Sequence, residues 1–333
     1  MFGTFRLFLA CAVVVFHMGI DAGGLYPGVA AVICFLMVSG YAMAGLAQKS
    51  FPRLIDAPFF YVDRALRLMP QYWFYVAVTT VTIYVAGWRY AGYQDAPMSL
   101  IGLVSNILPP PFGAYFYPAQ YGHIMMMPQC WSLGIEILFY LALPFLLTSR
   151  WVLAAALAYA AWIFARATHG ILNPDLDGYR FMPAPLLWLG AGVALQRKDW
   201  WMYGAIGLFA AGLFGSLVMA DKVWLAMNAP LFLGAAIGYV VMPLLAMLPR
   251  RRWDDWLGNA SYGSFLAHYI FVAAFRTHIK DWTYVGIAVA GALVCGWVSY
   301  ALIEAPVARW RRRLRKSKQA EPGLTPLAVE QAR

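Results

Sequence analysis

Charged residues are scarce in this chain, and their scarcity argues against a water-soluble fold. Only 12% of its 333 residues are Asp, Glu, Lys or Arg, while 62% are hydrophobic. A soluble globular domain carries about 25% charged residues, so lipid is the expected solvent. The net charge of +10 would suggest nucleic acid in a soluble protein. Here the positive residues fall in short loops and near the C-terminus, as in membrane proteins, so no nucleic-acid partner is expected.

Cysteine is also sparse, and its placement excludes a disulfide framework. Cys11, Cys34 and Cys295 lie inside apolar runs, and Cys130 lies at the edge of one. Secreted disulfide-rich domains look different, and no zinc-like spacing occurs, so no metal site is expected. No A-x-A cleavage signal follows the first apolar run, which predicts a retained first helix rather than a signal peptide.

What is abundant is apolar sequence in lengths near the roughly 20 residues that cross a bilayer as a helix. Ten spans are predicted: 5–20, 27–47, 71–87, 131–148, 151–168, 182–196, 201–220, 223–248, 257–278 and 284–303. Of these, 182–196 is short and rich in proline.

The positive charges orient the chain in the membrane. With both termini cytoplasmic, 19 of the 25 Lys and Arg residues fall on the cytoplasmic side and 6 fall outside. We therefore predict an all-α integral membrane protein of about ten transmembrane helices with both termini cytoplasmic. Its location would be the plasma (inner) membrane, as a multi-pass protein.

The remaining segments complete this organisation. Residues 1–308 are predicted to form one transmembrane domain, and 309–333 a basic, disordered cytoplasmic tail. Segment 51–70 is predicted to be an amphipathic helix at the cytoplasmic interface. Residues 88–130 are predicted to form a long outer loop.

Arg6 and His17 stand out because ionisable groups inside lipid are expensive. Eleven residues of helix separate them, which places both on one face about 16 Å apart. Arginine suits phosphate, and neutral imidazole suits removal of a hydroxyl proton. The alternative is a boundary arginine and a histidine hydrogen-bonded between helices.

Arg64 and Arg67 lie three residues apart on one predicted helix face. They would hold the phosphates of a nucleotide-bearing donor, or anionic lipid. Glu136 lies inside a predicted span, where it would orient a histidine, hold a substrate hydroxyl, act as an acid, or make a structural hydrogen bond.

Three further polar residues lie in or beside the spans. Glu304 is expected to pair with a nearby arginine. His268 is either structural or lines the site. Ser39, next to Gly40, either offers a hydroxyl to the site or serves close helix packing.

Six segments taken together resemble the acyltransferase-3 family of membrane O-acyltransferases, in family order from Arg6 to Pro306. They are the Arg-x10-His pattern at Arg6 and His17, ICFLMVSGY, RALRLMPQYW, WSLGIEILFY, SYGSFLAHY and IEAP. One departure is Ile33, near the place where the family often has an aspartate. No SGNH hydrolase-like domain follows the last span, so the likeness is to stand-alone members.

The resemblance implies transfer of an acyl group, acetyl in the expected case, from acyl-CoA to a hydroxyl of a cell-surface or exported glycan. It implies His17 and Glu136 as catalytic residues and Arg6, Arg64 and Arg67 as donor-binding residues. The predicted substrate-lining residues are Ser39, Tyr140 and His268. The implied partners are a glycan or lipid-linked sugar acceptor, the lipid bilayer, and machinery for polysaccharide synthesis or export.

Two other functions compete with this one. A proton-coupled transporter or flippase of a glycan precursor would also use buried His and Glu in ten spans, but such proteins often have internal repeats, and none is detected here. A purely structural partner of a synthase complex would not require Arg6 and His17 in register.

Overall fold

The computed structural model of the chain describes residues 1–21, 23–89, 106–109, 125–220 and 222–319, and their regular structure is helical. Most of the predicted outer loop 88–130 and the last residues of the predicted tail lie outside this part. Eleven α-helices occur in the described residues. They are α1 Phe2–His17, α2 Pro27–Ser50, α3 Ala57–Val85, α4 Trp131–Leu146, α5 Arg150–Thr168, α6 Leu186–Gln196, α7 Trp200–Ala220, α8 Lys222–Met247, α9 Arg252–Ala274, α10 Trp282–Ser299 and α11 Ala305–Gln319.

Six helical segments of the described chain are long and apolar enough to cross a membrane. They are Pro27–Ser50, Pro128–Leu146, Arg150–Thr168, Trp200–Met219, Val223–Met247 and Trp282–Arg313. Their outer faces carry exposed apolar side chains such as Trp201, Leu208 and Met219, which are 85%, 77% and 88% exposed. Water would penalise such faces, whereas lipid does not. The chain is therefore a multi-pass membrane protein, and the count of ten spans stays a prediction.

Helix α2 lies at the centre of the bundle and packs against α1, α6 and α8. Close packing depends on glycine, because a Cβ on Gly40 would collide with the Leu189 backbone, and one on Gly192 with that of Met37. The packing role considered for the Ser39-Gly40 pair is thus observed at Gly40.

Helix α3 differs from the sequence prediction. A separate interfacial helix 51–70 and a span 71–87 were expected, but one continuous helix of 29 residues runs through both. At 1.5 Å per residue it is about 43 Å long. In the charged half, which looks interfacial by composition, one face is covered by other parts of the protein and buries Asp63 and Arg64, while Phe59 and Val62 on another face are exposed.

The short span predicted at 182–196 contains a helix that begins four residues later, at Leu186, and ends at the predicted residue. Helix α6 has only 11 residues, about 16 Å, and ten of them are buried. The chain nevertheless reverses direction there. Arg150 pairs with Asp199 at one end of α5, and His169 Nε2 lies 3.3 Å from Ser216 Oγ at the other, so α5 and α7 run parallel. Surrounded by protein, α6 can be shorter than a lipid-facing span.

The predicted disordered tail is wrong for residues 309–319. After α10 the chain continues through a π-helical turn, Tyr300–Glu304, directly into α11. Composition alone suggested disorder, but Arg311 and Arg315 of α11 bind the buried carboxylate of Asp63 on α3. A helix that ends in ion pairs with another helix is part of the folded domain.

Candidate active site

Helices α1 and α9 run parallel and are joined at both ends. At the N-terminal ends of both helices, the Asp254 carboxylate of α9 accepts hydrogen bonds from Gly3 N (3.1 Å), Thr4 N (2.8 Å) and Thr4 Oγ1 (2.7 Å). Helix α1 has no side-chain cap of its own, so Asp254 satisfies its first-turn N–H groups and complements its dipole. This contact positions Arg6, which follows about half a turn later.

At the other end of the two helices His17 meets His268, with His17 Nδ1 3.1 Å from His268 Nε2. His17 Nδ1 is also 3.0 Å from Val13 O, and His268 Nδ1 is 2.6 Å from Phe265 O. Because a carbonyl oxygen only accepts, we assign the ring proton to Nδ1 of each neutral histidine. His268 Nε2 then accepts from His17 Nδ1–H, and the unprotonated Nε2 is the basic atom of His17.

A cavity of about 730 Å³ opens among the starts of α1 and α9, the middle of α2, the charged half of α3, α4 and α11. Six of the eight residues predicted from sequence line it. They are Arg6, Ser39, Arg64, Arg67, Glu136 and Tyr140. Ser39 Oγ is buried beside Tyr140 and has no well-formed hydrogen bond to any residue that the structure describes.

His17 and His268 are not among the described residues that line this cavity. Phe265 lines it, and its ring lies 5.7 Å from that of His268, so it stands between the cavity and the histidine pair. Of the roles left open for Glu136, a contact with His17 is not observed in the described residues. The observed contacts of His17 Nδ1 are instead with Val13 O and His268 Nε2.

Arg6 faces the cavity without a hydrogen bond or ion pair to any residue in the described part of the chain. Its electrostatic neighbours are Arg67, which repels it, and Glu136 and Glu304, which attract it. Glu136 likewise makes no ion pair or hydrogen bond among the described residues. The cavity therefore holds a guanidinium whose hydrogen-bond donors are available to an anion.

Arg67 is already engaged within the protein. Its Nη1 lies 2.5 Å from Glu304 Oε2, and its guanidinium lies 5.1 Å from the centre of the Tyr262 ring. The expectation that Glu304 pairs with an arginine is confirmed. Arg67 contributes charge to the cavity, but fewer donors than Arg6.

Three arginines converge on one buried carboxylate, and we call Asp63, Arg64, Arg311 and Arg315 the Asp63 cluster. Burial alone would raise the pKa of the Asp63 carboxyl, but the three guanidinium groups hold it well below its ordinary value. Asp63 is therefore ionised, and the cluster carries a formal charge of +2. Its three arginines all line the cavity.

Sequence reasoning missed Asp63, Arg311 and Arg315. The two tail arginines were counted only as topology signals, although their i, i+4 spacing puts them on one helix face. That face is distinct, because Arg309, Arg312 and Arg313 of the same helix are exposed. The spacing was a usable signal for a shared helix face. It could not identify Asp63 on α3, which lies 248 residues away from Arg311.

Comparison with known proteins agrees with the family resemblance seen in the sequence. Residues 3–304 match the family described as an acyltransferase domain. Nodulation protein 10 of Rhizobium leguminosarum bv. viciae is 25% identical over 360 aligned positions, which cover 94% of this chain and 94% of that protein. An uncharacterized protein of Aquifex aeolicus (strain VF5) is 28% identical over 153 positions, covering 43% of this chain and 69% of that protein. No solved structure matches the chain at a significant level.

Proposed function

Since the chain belongs to the acyltransferase-3 family of membrane acyltransferases, we propose that it transfers an acyl group, acetyl in the first instance, from acyl-CoA to a hydroxyl of a cell-surface or exported glycan. The acceptor is a glycan or lipid-linked sugar at the plasma (inner) membrane, next to the machinery that makes or exports polysaccharide. The observation that carries the proposal is the arginine-lined cavity, in which Arg6 has no partner among the described residues.

The charges around the cavity suit a donor with several phosphate groups. Arg6 offers a guanidinium that is unpaired within the described residues, Arg67 lies close enough to repel it, and Arg64 adds a third positive charge. Like charges held together at a protein-lined cavity are costly unless an anion joins them. Arginine is the side chain best matched to phosphate, because its planar fork donates two parallel hydrogen bonds.

The distance from the donor-binding residues to His17 is compatible with a CoA ester. Arg6 and His17 are separated by eleven residues of α1, about 16 Å along the axis. The arm between the pyrophosphate and the sulfur of CoA has the backbone length of about four extended residues, roughly 14 Å. A donor held at Arg6 would therefore bring its thioester to the region of Phe265 and the histidine pair.

His17 then serves as the general base. Its Nδ1–H is held by Val13 O and His268, and its Nε2 makes no hydrogen bond within the described residues. That nitrogen removes the proton of the acceptor hydroxyl as the hydroxyl oxygen attacks the thioester carbonyl. The carbon–sulfur bond breaks, and the proton on His17 passes to the departing thiolate. Glu136 and Ser39 offer hydrogen bonds in the cavity wall, and Tyr140 flanks Arg64 with its ring 6.0 Å from the guanidinium carbon.

The test is thiol release from acetyl-CoA by the purified chain in nanodiscs. Polysaccharide isolated from cells lacking the chain is the acceptor, and mass spectrometry detects the new ester. His17→Ala should lower turnover at least about a hundredfold while acetyl-CoA still binds. His169→Ala is the matched control, because His169 lies at the end of α5 and contacts Ser216 instead.

Near-normal turnover in His17→Ala would overturn the catalytic assignment. Transport of a labelled glycan precursor by the wild-type chain, without thiol release, would instead favour the transporter alternative.

A further inference from the structure

The Asp63 cluster has more hydrogen-bonding capacity than its carboxylate can use. Arg311 and Arg315 each direct Nε and Nη2 to Asp63, at 3.3 and 3.3 Å and at 2.8 and 2.9 Å respectively. A guanidinium has five N–H groups. The Nη1 group of each arginine makes no hydrogen bond within the described residues, and both side chains line the cavity.

The Asp63 cluster is also largely buried, unlike an ion pair formed by chance at a protein surface. The side chains of Asp63 and Arg311 are 0% and 7% exposed, and that of Arg315 is 25% exposed. Placing a net charge of +2 in such a site without a further anion is unfavourable. The structure thus holds rigid, partly desolvated arginines beside a cavity, which is the arrangement that recognises phosphate.

We propose that Arg311 and Arg315 of α11 form a phosphomonoester subsite for the nucleotide end of the donor, the 3′-phosphate of CoA. The inference rests on the proposed function and deepens it. A CoA ester has two separate anionic groups, a pyrophosphate and a 3′-phosphate. The cavity is lined by two groups of arginine, the pair Arg6 and Arg67 and the arginines of the Asp63 cluster, and Arg67 lies close enough to Arg311 to repel it.

This assignment gives α11 a role in donor selectivity. The helix begins at Ala305, just beyond the last residue that matches the family, so its arginines lie outside the matched residues. Within the cluster Asp63 is the positioning residue, because its carboxylate holds both guanidinium planes against α3.

The experiment measures binding of two probes, CoA and 3′-dephospho-CoA, to the full chain in neutral phosphatidylcholine nanodiscs by calorimetry. The wild-type chain should bind CoA at least about tenfold more tightly, the value of one charge-assisted contact. Arg315→Gln should bring the ratio of the two affinities toward one, chiefly by weakening CoA. Arg312→Gln is the matched control, since Arg312 is an exposed arginine of the same helix that does not line the cavity.

Each outcome decides between the two proposals. Equal binding of both probes by the wild-type chain, or an unchanged ratio in Arg315→Gln, overturns the subsite and leaves the proposed function standing. If neither probe binds, both the subsite and the proposed function are overturned. If Arg315→Gln fails to fold, Arg315→Lys replaces it. A lysine keeps the charge but loses the fork, so the ratio should fall partway, and an unchanged ratio would again overturn the subsite.

An anionic lipid headgroup shares the same phosphate chemistry and is separated by a second arm. The measurements are repeated in nanodiscs containing phosphatidylglycerol. If Arg315→Gln changes the ratio of the two affinities only in those nanodiscs, the arginines bind lipid and the donor subsite is overturned.

Discussion

At the scale of single residues, Arg6 and Arg67 differ although both line the same cavity. Arg6 has no partner among the described residues, whereas Arg67 is paired with Glu304. Arg6→Gln should therefore weaken binding of the donor without leaving another charged residue unpaired. We expect KM for acetyl-CoA to rise about ten- to a hundredfold, the equivalent of 1.5–3 kcal/mol, with little change in kcat.

The measurement is steady-state kinetics on purified variants, with Arg252→Gln as the control. Arg252 is an exposed arginine that does not line the cavity. An unchanged KM in Arg6→Gln would assign Arg6 to the membrane boundary. Arg67→Gln would instead leave the Glu304 carboxylate without its cation, so its main effect should be lost thermal stability.

The histidine pair makes a separate prediction. His268 is fully buried, and its Nε2 accepts from His17 Nδ1–H. His268→Leu removes that acceptor and should lower kcat roughly three- to tenfold, the value of one hydrogen bond, which is less than the loss from His17→Ala. His268→Gln places an amide oxygen near the same point and should recover most of the activity.

The readout is kcat across pH 5 to 9, because a purely structural residue would change stability without changing the shape of the profile. If Leu and Gln at position 268 behave alike, at equal thermal stability, His268 does not orient His17.

At the scale of helices, Asp254 is the contact that joins α1 to α9. Its carboxylate takes three hydrogen bonds from the first turn of α1, and its side chain is only 4% exposed. Asp254→Ala should cost about 1–2 kcal/mol of stability, as loss of a helix cap does. The check is the thermal unfolding temperature in detergent. Asp255→Ala is the control, since that neighbouring carboxylate is 43% exposed and pairs with Arg250; equal effects would contradict the capping role.

The helices also show what sequence could and could not predict. Spans such as 131–148 and 151–168 were predicted within a few residues, since an apolar run of membrane length has one favourable structure. Helix α3 was divided in error, because its charged half resembles an interfacial helix until Asp63 meets arginines from α11. Local composition cannot report a partner more than 200 residues away.

The candidate site likewise has features that the sequence predicts and features that it does not. Arg6, Glu136 and Tyr140 were predicted from charge inside apolar runs and from motif spacing, and the cavity brings them together. The contact between His17 and His268 depends on α1 and α9 running parallel in one register, which no local pattern encodes. Motifs therefore identified the chemical groups, and tertiary packing determined which of them touch.

At the scale of the whole molecule, one end of the described bundle concentrates positive charge. The starts of α1 and α9 meet through Asp254, and the charged half of α3 and Arg311 and Arg315 of α11 join them around the cavity. The arginines that line it are Arg6, Arg64, Arg67, Arg250, Arg311 and Arg315. The N-terminus and α11 thus lie at the same end of the bundle, which requires an even number of crossings between them.

That geometry yields a topology prediction independent of the exact number of spans. Positive residues near span ends stay in the cytoplasm, so the end carrying the cavity should face the cytoplasm, where acyl-CoA is made. A fluorescent protein that folds only in the cytoplasm, fused after Arg333, should be fluorescent. An alkaline phosphatase fusion at the same point should be inactive, and a phosphatase inserted in the turn between α9 and α10, after Thr277, should be active. The opposite pattern would place the arginine cavity outside, away from any cytoplasmic donor, and would contradict both the orientation and the proposed use of acyl-CoA.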